Sequence, residues 1–302
     1  MIVRIADQAG FCFGVKRALE LIHGLRREGQ GIQVLGELIH NKSALKDLEE
    51  KGVDCISDWD ELNSEKTLVI RTHGIPADQE ETLRKRGTRL MDATCPLVKK
   101  THRIIRDFEE CGIPVVIVGN RNHPEIIAAS SYSTAPIIVN SREEALAIPH
   151  MEKMGVVAQT TLDLDFFHEI EAILSRRADS LEVHNTVCEA TRVRQEAIRR
   201  LAPEVDCVVV VGGRNSSNTE KLVQIARRHN SRTIHIEGSA DLSDPELKRY
   251  VGECDTVGIT AGASTPPEEV ERVRQYFLEI PAINDCFDID KRRMNDGQTQ
   301  GN

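Results

Sequence analysis

Aromatic side chains are scarce in this 302-residue chain, which has one tryptophan, three tyrosines and seven phenylalanines, 4% in all. No run approaches the eighteen or so apolar residues that span a bilayer. The opening MIVRIADQAG, with Arg4 and Asp7, lacks the apolar core of a signal peptide. Basic residues are the minority charge, 39 against 48 acidic, and the formal charge of −9 repels nucleic acid and anionic membrane. Neither is an expected partner, a cytoplasmic location is expected, and a site for an anionic ligand has to be local. A Walker-type lysine loop and a G-x-G-x-x-G fingerprint are both missing, which argues against a nucleotide. None of the eight cysteines forms C-x-x-C, which weakens zinc-ribbon and thioredoxin readings. In a reducing cytoplasm such thiols point to metal or thiol chemistry rather than to a disulfide framework.

What the chain does have is repetition. IQVLGELIHNKSALKDLEEKG, PVVIVGNRNHPEIIAAS and CVVVVGGRNSSNTEKLVQIARRH each read as apolar strand, glycine, polar loop and helix. Twenty-four residues before their glycines, Gly36, Gly119 and Gly212, stand Cys12, Cys95 and Cys188. Four residues after them stand His40, His123 and Ser216. A helical stretch separates cysteine from glycine each time: VKRALELIHGLRR, LVKKTHRIIRDFEE and TRVRQEAIRRLA. Each module closes with a further strand, turn and helix, the turns carrying His73, Gln159–Thr160–Thr161 and Ser264–Thr265. Thr72, Thr160 and Ser264 suit helix N-caps, and Pro76, Pro266 and Pro267 suit a first turn.

This order predicts an α/β fold of three pseudo-equivalent α/β/α modules with mostly parallel sheets and right-handed crossovers. The expected modules are residues 13–95, 96–184 and 185–280, with 1–12 returning to the third and 281–302 as a polar tail. Ligands of such sheets bind beyond the strand carboxyl ends, where the polar turns fall. Packing about a pseudo-threefold axis would bring the three equivalent cysteines together.

Three thiolates are one short of a closed tetrahedral site. On a cubane 4Fe–4S cluster they leave one iron open, and an open position permits substrate chemistry. Zinc held by three cysteines and a water is the competing metal, although catalytic zinc sites commonly mix in histidine or carboxylate. Cys55, Cys111, Cys207, Cys254 and Cys286 do not recur in register, and Cys207 and Cys254 read as core.

His40, His73 and His123, with Ser216, Ser217, Asn218 and Ser264 from the third module, offer N–H, hydroxyl and amide donors suited to a diphosphate. Glu125 is the one carboxylate within three residues after the His40, His123 and Ser216 positions. A carboxylic acid in a dry site can protonate a departing oxygen, with Thr160 relaying the proton or bonding the hydroxyl. The bland alternative is a first-turn glutamate favoured by the helix dipole. Four residues past each cysteine lie Lys16, Lys99 and Arg192, with Arg17, Lys100 and Arg194 close by. They read either as solvated helix faces or as a cationic collar for the cluster, the diphosphate or an acidic electron donor.

GFCFGVKRA, ELIHN, RTHG, DATCPLVKK, NHPE, QTTL, NTVCEATRVRQ, RNSSNT and TAGAS, in order from about residue 1 to 280, resemble the signatures of the 4-hydroxy-3-methylbut-2-enyl diphosphate reductase family. The resemblance implies reductive dehydroxylation of that allylic diphosphate to isopentenyl and dimethylallyl diphosphate, the last step of the methylerythritol phosphate pathway. It implies one 4Fe–4S cluster on Cys12, Cys95 and Cys188, and substrate contacts at His40, His73, His123, Ser216, Ser217, Asn218 and Ser264. Glu125 is then the proton donor, with Thr160 beside the hydroxyl, and ferredoxin or flavodoxin the electron donor. Asn122 before His123 and Arg192–Val193 after Cys188 depart slightly from the pattern. An iron–sulfur dehydratase of the quinolinate synthase type, also three modules around a three-cysteine cluster, is the nearest rival, and a non-catalytic metal-binding protein the next.

Overall fold

Strand β1 (Ile2–Ile5) opens the computed structural model, which describes residues 1–279; the expected tail and Cys286 lie outside them. The first repeat contains α1 (Phe13–Arg27), β2 (Ile32–Leu35), α2 (Lys42–Glu50), β3 (Val53–Ile56), β4 (Thr67–Ile70), α3 (Ala77–Lys85) and β5 (Leu90–Asp92). The second contains α4 (Pro96–Glu110), β6 (Val115–Val118), α5 (Pro124–Ser130), β7 (Ile137–Val139), α6 (Arg142–Ala147), β8 (Met151–Ala158), α7 (Leu164–Leu174) and β9 (Ala178–Val183). The third contains α8 (Glu189–Leu201), β10 (Cys207–Val211), α9 (Ser217–His229), β11 (Thr233–Ile236), α10 (Pro245–Gly252), β12 (Thr256–Ala261) and α11 (Pro267–Glu279).

The three sheets are four-stranded and parallel throughout, in the orders β3-β2-β4-β5, β7-β6-β8-β9 and β11-β10-β12-β1. Each places its first strand between its second and third, and the N-terminal β1 fills the fourth place of the last sheet. This repeated topology is the α/β architecture expected from the spacing. The apolar runs VVIV and CVVVV become β6 and β10, buried on both faces as strands of covered parallel sheets are. Helix α4 buries Val98, Ile105 and Phe108; a side chain on Gly155 of β8 would meet the Phe108 ring at 2.6 Å, so this helix lies close on its sheet.

The repeat glycines have one backbone task. Gly36, Gly119 and Gly212 donate N–H to Ile56, Val139 and Ile236, the last residues of β3, β7 and β11. Gly212, at φ +151°, also sits where a Cβ would meet Thr219 Oγ1 at 2.6 Å. The expected caps differ, because the threonines face inward. The residue before α3 is Pro76, with no side-chain cap bond, and Asp163 caps α7. Thr72 instead donates to the Leu38 carbonyl and Thr160 to Glu125.

The chain divides into two compact units, Cys12–Arg192 and Met1–Phe11 with the chain from Val193 onward. No described helix is long and apolar enough to cross a membrane.

Candidate active site

Cys12, Cys95 and Cys188 all belong to the Cys12–Arg192 unit, each immediately before a helix of 13 to 15 residues. The carbonyls of all three accept the first helical bonds, from Lys16, Lys99 and Arg192. Cys95 and Cys188 are held in turn by N–H bonds to the carbonyls of Thr72 (3.0 Å) and Thr160 (2.9 Å), at the strand-end turns. All three thiols are free and partly buried. A side chain on Gly14 would lie 2.9 Å from Cys95 Sγ and 3.9 Å from Cys12 Sγ, so its absence leaves room where two sulfurs approach.

Burial pushes the Cys95 and Cys188 thiols up, and both feel the charges of Cys12 and Glu125. Opposing this, Leu97 and Val98 N–H groups point at Cys95, while Thr191 gives Cys188 an N–H at 3.3 Å and a hydroxyl at 3.1 Å. N–H donors at a helix start favour thiolate. Thiolates in so dry a place need a cation for balance, and the N–H···S bonds match those that tune iron–sulfur centres.

Among the described residues, His40, His73 and His123 are the one trio of possible ligands whose ligand atoms all lie within single-ion distance, at 4.8 Å or less. The three thiols do not form such a single-ion group among the described residues.

The histidines come from three strand ends in the same unit. His40 and His73 stack with ring centroids 4.5 Å apart, and His123 meets them edge-on at 5.8 and 5.3 Å. Loss of water, with positive charge from neighbouring histidines and Arg71, holds His73 well below 6.5 and His123 at about 4. Both are neutral at pH 7. His123 Nδ1 accepts the Glu125 N–H at 3.2 Å, so the neutral ring carries its proton on Nε2. A metal ion needs a bare nitrogen there; an anion needs the N–H. His40 Nδ1 faces the Glu37 carboxylate at 2.7 Å, and His73 Nδ1 is buried with no partner among the described residues. At His123 the neutral ring therefore presents the N–H that an anion takes.

Glu125 lies in the first turn of α5 and is 2% exposed. Thr160 donates its N–H to one carboxyl oxygen (2.7 Å) and its hydroxyl to the other (2.8 Å). Burial outweighs these bonds and raises the carboxyl to about 7. A first-turn glutamate placed merely for the dipole would face water.

In the other unit, Ser216 caps α9 by accepting the Thr219 N–H at 3.3 Å, and Ser217 begins that helix. Asn218 and Ser264 are 4% and 7% exposed, and Asn218 Nδ2 is buried without a partner among the described residues. Such an orphan donor costs free energy unless a ligand satisfies it.

The cations in register behave unalike. Lys99 pairs with Asp92, Arg192 pairs with Glu189 (2.5 Å), and Arg194 is buried, donating to the Gly10 carbonyl at 2.6 Å. Lys16 and Lys100 are exposed. Cys207 and Cys254 are core; burial, with Cys254 as neighbour, pushes Cys207 to about 12. Two residues escaped the sequence reading. Arg71 is a half-enclosed guanidinium beside the histidines, and Glu37 orients His40. The RTHG segment was visible; that Arg71 turns toward Gly36, within 3.0 Å of where a Cβ would stand, was not.

The sequence profile of the family described as LytB protein matches residues 3–278. The 4-hydroxy-3-methylbut-2-enyl diphosphate reductase of Aquifex aeolicus is 42% identical over 281 residues, covering 91% of this chain and 96% of its own. That of Pelobacter propionicus is 40% identical over 285 residues, covering 94% and 100%. A solved (E)-4-hydroxy-3-methyl-but-2-enyl diphosphate reductase, described as the terminal enzyme of the non-mevalonate pathway, is 40% identical. It aligns over 93% of this chain and 100% of its own, with a TM-score of 0.66. The Plasmodium falciparum E-1-hydroxy-2-methyl-but-2-enyl-4-diphosphate reductase, 27% identical, covers 93% and 89% with a TM-score of 0.86.

Proposed function

The chain belongs to the LytB protein family, and from that premise we propose how its own residues carry the reaction. It catalyses the reductive removal of the hydroxyl from 4-hydroxy-3-methylbut-2-enyl diphosphate, giving isopentenyl and dimethylallyl diphosphate at the end of the methylerythritol phosphate pathway. The reaction consumes two electrons and two protons and releases water.

Cys12, Cys95 and Cys188 would hold one 4Fe–4S cluster. The N–H groups aimed at sulfur and the missing side chain at Gly14 support this assignment. When bound, such a cluster supplies single electrons and, at the iron without a cysteine, Lewis acidity toward the hydroxyl.

The protein's own groups do the rest. His40, His73 and His123 bind the diphosphate, His123 through Nε2–H, and the half-enclosed Arg71 adds positive potential without titrating. Ser216, Ser217, Asn218 and Ser264 supply further donors to the substrate, Asn218 through its orphan amide. Protonated Glu125 supplies the proton for the departing hydroxyl, and Thr160, bonded to both of its carboxyl oxygens, holds it in place beside that hydroxyl. We assign the electrons to a small carrier such as ferredoxin or flavodoxin, and the enzyme to the cytoplasm.

Glu125 is the observation that carries this reading: a buried carboxyl poised near 7, bonded twice to one threonine, in the electrostatic neighbourhood of Cys95 and Cys188. Anaerobic reconstitution, then assay with dithionite and a viologen, should give both products in proportion to electrons consumed. Condensation or dehydration without reductant would replace this reading with the dehydratase one.

A further inference from the structure

Helices α1 and α4 begin against the electrostatic grain. A helix N-terminus is partly positive and favours acidic neighbours. Neither first turn holds a carboxylate, and Lys16, Arg17, Lys99 and Lys100 follow at once. Two of these cations have local tasks. Arg17 donates to the carbonyls of Thr94 (3.1 Å) and Asp92 (3.4 Å), and Lys99 pairs with the Asp92 carboxylate. Lys16, Lys100 and, one turn on, Arg103 are exposed and pair with no carboxylate among the described residues.

Apolar surface accompanies them. Phe13 is 67% exposed one residue past Cys12, and Leu97 is 42% exposed two past Cys95. Leu97, Lys100 and Arg103 share one face of α4 at helical spacing. The two helix starts are neighbours, since Gly14 faces Cys95 Sγ and Arg17 straps α1 to the loop before α4. Helix α8, behind the third cysteine, is different: its first turn carries Glu189, which neutralises Arg192.

We propose that the first turns of α1 and α4 form the docking surface for an acidic iron–sulfur electron carrier, with Phe13 and Leu97 at its centre and Lys16, Lys100 and Arg103 at its rim. An apolar centre with a charged rim is how transient protein interfaces are built. A chain of net charge −9 repels an acidic carrier except where cations are concentrated, so such a patch sets both orientation and association rate. The surface adjoins two of the proposed cluster ligands, which keeps the electron path short. Two reduced carriers are each oxidised by one electron per turnover, and those electrons, with two protons, release the hydroxyl as water. The inference rests on the reductase reading above.

The test uses anaerobically reconstituted holoenzyme and the variants Lys16→Glu/Lys100→Glu and, more mildly, Lys16→Gln/Lys100→Gln. Affinity for a small acidic ferredoxin is titrated at low and high salt, and turnover is driven by ferredoxin or by viologen. Charge reversal should weaken ferredoxin binding about tenfold or more, flatten its salt dependence and slow ferredoxin-driven turnover, with the glutamine pair between it and wild type. Viologen-driven turnover and the cluster spectrum should stay at wild-type level. Unchanged ferredoxin affinity would overturn the docking surface, as would loss of viologen turnover in step, which would assign these lysines to the cluster. A flavodoxin that alone binds and reduces the enzyme would overturn the choice of carrier. Wild-type enzyme inert toward viologen would instead sink the reductase reading.

Discussion

Two residues past the histidine or serine that follows each repeat glycine, the second repeat places Glu125 and the third Asn218. Both stand in the first turns of helices capped from the preceding loop, by His123 and Ser216. They are 2% and 4% exposed. The first repeat puts the exposed Lys42 in the same slot, so the backbone does not choose the chemistry. The surroundings do. Glu125 receives two bonds from Thr160 and still keeps its proton to about 7, because loss of water weighs more. Asn218 keeps an amide N–H with no acceptor among the described residues. One slot stores a proton and the other an unsatisfied donor.

Swapping the two chemistries is the sharpest way to break that comparison. Glu125→Gln, which makes the second slot resemble the third, should lower kcat about 10²- to 10⁴-fold in the viologen assay. Substrate affinity should hardly change, and a KM effect alone would deny the acid role.

The opposite swap, Asn218→Asp, replaces the orphan donor by a negative charge. KM for the diphosphate should rise roughly 10- to 100-fold with a smaller change in kcat. Unaltered KM would remove Asn218 from the substrate contacts.

Thr160→Val sharpens the comparison with the smallest effect, a loss of roughly tenfold in turnover, the scale of one hydrogen bond to a charged group. The wild-type rate should fall as pH rises through about 7, because Glu125 then loses the proton it donates. The Thr160 hydroxyl favours the ionised carboxyl, so its removal should move that alkaline limb to higher pH. A limb that stays put, or moves down, counts against the pair. Stability follows the same sign. Between the ordinary value of 4.5 and about 7 the folded protein binds the Glu125 proton more tightly than the unfolded chain. This contribution is complete below 4.5 and is lost as pH rises through about 7.

Much of this molecule was legible in its repeats. Three cysteine–glycine intervals of equal length foretold three sheets of equal topology, because each repeat must build the same strand, crossover and strand to bury its apolar run. The cap assignments at Thr72 and Thr160 did not survive, because a hydroxyl near a helix start has several acceptors within reach and only packing selects one. Arg71 and Glu37 were unreadable as site residues for a similar reason. Both stand in ordinary loops: Arg71 turns toward Gly36 across strand ends distant in sequence, and Glu37 meets His40 only because the loop folds back over three residues.

By itself the sequence determined which groups exist at equivalent places: thiols before three helices, imidazoles or hydroxyls after three strands, and one carboxyl among them. These follow from covalent order and strand periodicity. Tertiary structure alone decided their state: which nitrogen of His123 carries a proton, that Glu125 holds one near neutrality, and which lysines remain unpaired at the surface. Protonation and pairing depend on water access and on charges brought close by folding, and neither quantity exists until the chain has packed.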